Sequence, residues 1–104
     1  YRAVHPEVMA NIGALIRSTP IAGYVGCAQA IAGIDVTDRL HEVKAPTLVI
    51  VGRDDIGTPP AMSEAIAAAI PGARLEVIAD ASHLSNIEQA QAFNTLLLDF
   101  LTEK

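Results

Sequence analysis

The run Thr47–Val51, TLVIV, holds five apolar or β-branched residues without polar alternation and leads directly into GRDDIGTPP. A strand with one solvated face alternates apolar with polar residues. An uninterrupted apolar run belongs to a strand covered on both faces, as in a parallel sheet. Pro46 stops any helix in front of it. The next strand-like segment, RLEVIA at 74–79, follows a helical stretch, AMSEAIAAAI, closed by Pro71 and Gly72. Two strands joined by a helix must run parallel, with a right-handed crossover. A parallel sheet of two strands is too small to cover both of its faces. Further strands are therefore expected outside this chain, which starts YRAVHPEVMANI, with Tyr rather than Met first, and reads as the C-terminal part of a longer protein.

The remaining segments read as helices. In HPEVMANIGALIRSTP, the residues Val8, Ile12, Leu15 and Ile16 recur at helical spacing between Pro6 and Pro20. A second helix is expected from Thr19-Pro20 to Gly33. Its Gly23 and Gly26 each cost about 1 kcal/mol relative to Ala in a helix interior, so a close approach to another element is expected there. VTDRLHEV suits a short helical turn. Thr58, ahead of two prolines, suits a helix N-cap. Ser85 and Glu88 form an S-x-x-E capping box ahead of a last helix whose apolar face is Ile87, Ala90, Phe93, Leu97, Leu98 and Leu101. The order is helices over 1–35, then β-α-β-α over 36–104, an α/β class.

Composition excludes several functions. The net charge is -5, and only seven Lys and Arg are spread along the chain. A nucleic-acid surface needs clustered cations to neutralise phosphates, so none is expected. No apolar run approaches the roughly 18 residues of a membrane span. A single cysteine, Cys27, fits a reducing cytoplasm.

In an open α/β sheet, functional groups collect in the loops beyond the carboxyl ends of the strands. Asp54 and Asp55 occupy the first such loop and His83, in DASHLSN, the second. Neighbouring strands lie about 4.8 Å apart, so a carboxylate and an imidazole on these loops can meet. That pair is the base and its orienting acid in a catalytic triad. A nucleophile is not evident. Ser18, Ser63, Ser82 and Ser85 all lie outside any G-x-S-x-G turn after a strand, and Cys27 lies in a helical segment.

KAPTLVIVGRDDIGTPP followed by IPGARLEVIADASHLSNIEQAQAFNTLLLDFL resembles the C-terminal end of an α/β-hydrolase: strand, G-x-x-D-x-x-T-P, helix, strand, His loop, helix. TPIAGYVGCAQAIAGIDVTDRL and SHLSNIEQAQAF are similar to 3-oxoadipate enol-lactonases of the β-ketoadipate pathway of aromatic degradation. The resemblance covers nearly the whole chain. It implies that 1–35 is the end of a helical cap domain and 36–104 the C-terminal part of the hydrolase core. It places the triad acid on Asp55, the fourth position counted from Gly52, and the triad base on His83. It implies a small lactone substrate, no metal or organic cofactor, and a serine and oxyanion-binding amides on the N-terminal remainder of the protein.

Other residues carry blander readings. Asp54 reads as a solvated neighbour, His5 and His41 as surface residues, and Cys27 and Tyr24 as packed helix residues. GRDDIG lacks the glycine spacing of a dinucleotide loop. A divalent-metal site on Asp54 and Asp55 is weak, because adjacent side chains diverge. Two other functions stay open: a different cap-bearing α/β-hydrolase, such as an esterase or cofactor-free haloperoxidase, or a non-catalytic module binding a partner through its unpaired strand edge.

Overall fold

The computed structural model describes residues 1–103, and the chain divides into two compact units, Tyr1–Asp35 and Val36–Lys104. The first unit holds α1, Pro6–Ser18, and α2, Ile21–Gly33. Pro6 opens α1 where its missing N–H costs nothing, and the Ser18 hydroxyl donates back to the Leu15 carbonyl at 2.7 Å. No residue of this unit is buried. A Cβ on Gly23 or Gly26 would meet no atom within 4 Å, so the close approach expected at these glycines does not occur among the described residues. Cys27 and Tyr24 are likewise exposed rather than packed.

The second unit begins with a 3-10 turn, Thr37–Glu42, the short helical element expected there. Strand β1, Leu48–Gly52, leads to α3, Pro60–Ala69, and β2, Arg74–Ile78, runs parallel to β1 in the register Leu48↔Arg74 to Gly52↔Ile78. Gly72 takes φ 75° between α3 and β2, a left-handed turn that glycine adopts without steric cost. Both α3 and the C-terminal helix α5, Ala90–Thr102, pack on the two strands. The buried apolar residues are Val51, Ile70, Ile78 and Ala81. Val51, Ile78 and Ala81 sit at or just beyond the C-terminal ends of the strands, and Ile70 closes α3 ahead of β2. Leu48, Val49 and Ile50 are only half-buried, as two strands cannot cover both faces of a parallel sheet.

The C-terminal helical region is not one helix. A single turn, α4 at Ser85–Glu88, is separated from α5, Ala90–Thr102, by Gln89 at φ -133° and ψ 53°. Of the apolar face expected here, Ile87, Phe93 and Leu97 are half-buried, while Ala90, Leu98 and Leu101 are exposed. Among the described residues no helix is long and apolar enough to cross a membrane.

Candidate active site

The site forms because the two strand-end loops close on each other, and Gly52 is what lets them. A Cβ at Gly52 would fall on the Ser82 carbonyl oxygen and within 2.7 Å of the Ala81 carbonyl carbon. With only a hydrogen there, backbone bonds cross between the loops. Arg53 N–H donates to the Ile78 carbonyl at 2.8 Å and Asp54 N–H to the Ala81 carbonyl at 2.9 Å. Beyond β2 the chain reverses through Asp80, a non-glycine residue at φ 53°, where Asp is tolerated better than most residues. The Gln89 amide donates to the Asp80 carbonyl at 3.2 Å and holds that reversal.

These restraints bring Asp55 and His83 together: His83 Nδ1 lies 2.8 Å from Asp55 Oδ2. The Asp55 side chain is 5% exposed and the His83 ring 69%, so the pair has a sheltered acid and an accessible imidazole. Asp55 also accepts from Gly57 N–H at 2.9 Å, Thr58 N–H at 3.0 Å and the Thr58 hydroxyl at 2.7 Å. The Thr58 amide, the His83 ring and the Thr58 hydroxyl together hold this carboxyl far below the usual carboxylate range, against an opposing effect of burial. Asp55 is therefore an anion at neutral pH. An ionised carboxylate only accepts, so His83 Nδ1 donates to it, and in the neutral ring that leaves Nε2 as the lone-pair nitrogen.

Thr58 does not act as the expected N-cap. Helix α3 is capped by Pro59 without a side-chain bond, and the Thr58 hydroxyl turns to Asp55 instead. Both roles fit a hydroxyl ahead of a proline. The signal that separates them is the D-x-x-T spacing, which sets the hydroxyl back over the carboxylate it follows. The capping box is also one residue out of place. Leu84, not Ser85, is the N-cap of α4, and Glu88 accepts from Ser82 N–H at 2.6 Å and Leu84 N–H at 3.3 Å. Its carboxylate thus straddles His83 and pins the backbone on either side of it.

The other candidates stay apart from this pair. Asp54 is exposed and joins the site through its backbone. His5 stacks on Tyr1 at 4.3 Å and lies 3.9 Å from Glu7, and His41 lies exposed in the 3-10 turn. Among the described residues no three His, Cys, Asp or Glu side chains gather as a metal site. An open groove of about 710 Å³ runs between β2 and α5, lined by Val77, Asp80, Gln89 and Ala92 among others, and includes neither Asp55 nor His83.

A parallel strand pair with an acid loop, a His loop and intervening helix agrees with the comparison to known proteins. Residues 1–90 match the family model of the alpha/beta hydrolase fold. The chain belongs to that family. It is 37% identical over 89 residues to 3-oxoadipate enol-lactonase 2 of Acinetobacter baylyi, a match covering 86% of this chain and 33% of the lactonase. The crystal structure of the enol-lactonase from Burkholderia xenovorans LB400 superposes with a TM-score of 0.96 at 41% identity, over 99% of this α/β-hydrolase chain and 39% of that one. A thermophilic esterase from Thermogutta terrifontis superposes at 0.88 with 39% identity, over 93% of this chain and 36% of the esterase. The hydrolase chain thus spans about a third of the length of the relatives it matches.

Proposed function

We propose that this chain supplies the acid and base of a serine hydrolase that opens 3-oxoadipate enol-lactone, with a serine supplied by the N-terminal remainder of the protein. The observation that carries the reading is the 2.8 Å contact of His83 Nδ1 with a sheltered Asp55, at adjacent parallel strand ends of a chain similar to enol-lactonases. In this reading His83 Nε2 takes the serine proton as the serine oxygen adds to the lactone carbonyl. Asp55 holds the tautomer and offsets the imidazolium charge. Backbone amides of the remainder stabilise the tetrahedral oxyanion. When the intermediate collapses, the ring C–O bond breaks and His83 returns its proton to the departing enolate oxygen. His83 then deprotonates water as it adds to the acyl-serine carbonyl; the bond to serine breaks, His83 returns that proton to the serine oxygen, and the released enol tautomerises to 3-oxoadipate. The reaction belongs in the cytoplasm, where a free Cys27 stays reduced.

The fold match to an esterase favours one alternative, cleavage of open-chain esters by the same pair. Turnover of the enol-lactone and of p-nitrophenyl esters by the complete protein separates the two. The lactone reading expects kcat/KM for the lactone to exceed that for the esters by at least about tenfold, equivalent to 1.4 kcal/mol of transition-state binding. Absence of lactone hydrolysis by an esterolytic protein would overturn it.

A further inference from the structure

We propose that Thr58 is the positioning residue of the Asp55–His83 pair, its hydroxyl donating to Asp55 Oδ2 while accepting a share of the His83 Nδ1 proton. This rests on the hydrolase reading above. A carboxylate offers about four lone-pair sites, and four donors meet Asp55: Gly57 N–H and Thr58 N–H on Oδ1, the Thr58 hydroxyl and His83 Nδ1 on Oδ2. The Thr58 hydroxyl has one proton, and the acceptor-only carboxylate at 2.7 Å takes it. Its oxygen then faces His83 Nδ1 at 3.3 Å with lone pairs alone. The Nδ1–H is therefore shared between Oδ2 and the Thr58 oxygen.

That sharing has consequences for the ring. Turning the imidazole over would point a C–H at both oxygens and forfeit two acceptors instead of one. Moving its proton to Nε2 would set the Nδ1 lone pair against both. When Nε2 takes a proton from a nucleophile, the imidazolium meets an anion and the negative end of the hydroxyl dipole on the same side. Backbone amides on Oδ1 can come from any residue, whereas the bond to Oδ2 needs a hydroxyl at position 58. Thr also suits it conformationally. Its β-branched side chain has few χ1 choices, and Pro59 restricts its backbone to extended conformations.

The test compares Thr58→Val, which keeps shape and backbone N–H but removes the hydroxyl, with Thr58→Ser, which keeps the hydroxyl, in the complete protein. Two quantities are read: kcat and KM on a substrate that the wild type hydrolyses, and the low-field proton NMR signal of the His83 Nδ1–H. Thr58→Val should lower kcat about tenfold with KM within about twofold, and move or broaden the proton signal, whereas Thr58→Ser should restore both. Wild-type kcat and an unmoved signal in Thr58→Val would overturn the proposal. So would equal losses in both variants, which would assign the role to the methyl group. If Thr58→Val does not fold, as read by thermal unfolding, Thr58→Ala takes its place with the same expected and contrary results. The proton signal needs no substrate. A wild type that fails on the lactone but keeps a Thr58-sensitive signal would therefore defeat the substrate assignment and sustain the positioning role, while a wild type lacking the signal would defeat the role.

Discussion

In Tyr1–Asp35 the large apolar residues Leu15, Ile21 and Ile31 are each at least 70% exposed, while in Val36–Lys104 the residues Val51, Ile70, Ile78 and Ala81 are at most 7% exposed. The two units have similar helical content to offer and differ in what those helices pack on. Helices α3 and α5 lie on a strand pair, which fixes their faces and concentrates the core at the strand ends. Helices α1 and α2 have no sheet of their own. The consequence for chemistry is direct. A carboxylate that accepts four bonds needs its donors held to a few tenths of an ångström, and the strand ends supply that rigidity. In the helical unit the Ser18 hydroxyl makes a local bond to the Leu15 carbonyl, three residues back in the same helix.

Substitutions at glycine break the comparison most sharply. Gly52→Ala places a methyl group on the Ser82 carbonyl oxygen, where backbone has to move, and should cost about 3 kcal/mol or more, read from the denaturant midpoint of the complete protein. The same substitution should separate the loops and abolish hydrolysis. An unchanged midpoint would mean that the two loops do not close as described.

Acid sharpens the contrast by a smaller amount. Folded, Asp55 binds its proton at a lower pH than it does in the unfolded chain, so in that window the unfolded state holds more protons and stability falls as pH falls. The contribution is complete above about pH 4, the ordinary aspartate range, and disappears as pH drops through the folded value. Asp55→Asn should remove this part of the acid slope in pH-dependent unfolding, whereas Asp54→Asn should leave it unchanged. Equal slopes for wild type and Asp55→Asn would contradict the hydrogen bonding assigned to Asp55.

The smallest effect is expected in the helical unit. Gly26→Ala adds a Cβ that meets nothing within 4 Å and should stabilise α2 by up to about 1 kcal/mol through helix propensity. Thermal unfolding of the complete protein measures it. A loss of stability instead would show another part of the protein closing on Gly26.

What could be read in the sequence follows the same division. TLVIV and RLEVIA identified the parallel strands because their patterns are set by local burial. The loops holding Asp54, Asp55 and His83 could be located because a strand fixes where its following loop begins, whereas the choice of Asp55 over Asp54 came from the resemblance to α/β-hydrolases. The hydrogen bonds inside the loops were not legible. Thr58 resembled an N-cap and Ser85 the head of a capping box, since a hydroxyl or a glutamate near a helix start can meet several partners, and tertiary geometry selects among them. Gln89, whose backbone breaks the last helix, lies in an unbroken apolar period, and its side chain bonds to the carbonyl of Asp80, nine residues earlier. Gly52 is the clearest case. In sequence it is the first letter of G-x-x-D, and its requirement comes from carbonyls about thirty residues away.

One comparison tests the role of Asp55 most directly: turnover by the complete protein carrying Asp55→Asn beside the same protein carrying Asp54→Asn. With Asp55 orienting His83, Asp55→Asn should lower kcat by roughly four orders of magnitude, and Asp54→Asn should stay within about twofold of wild type. Equal losses, or a greater loss from Asp54→Asn, would contradict the assignment of the acid.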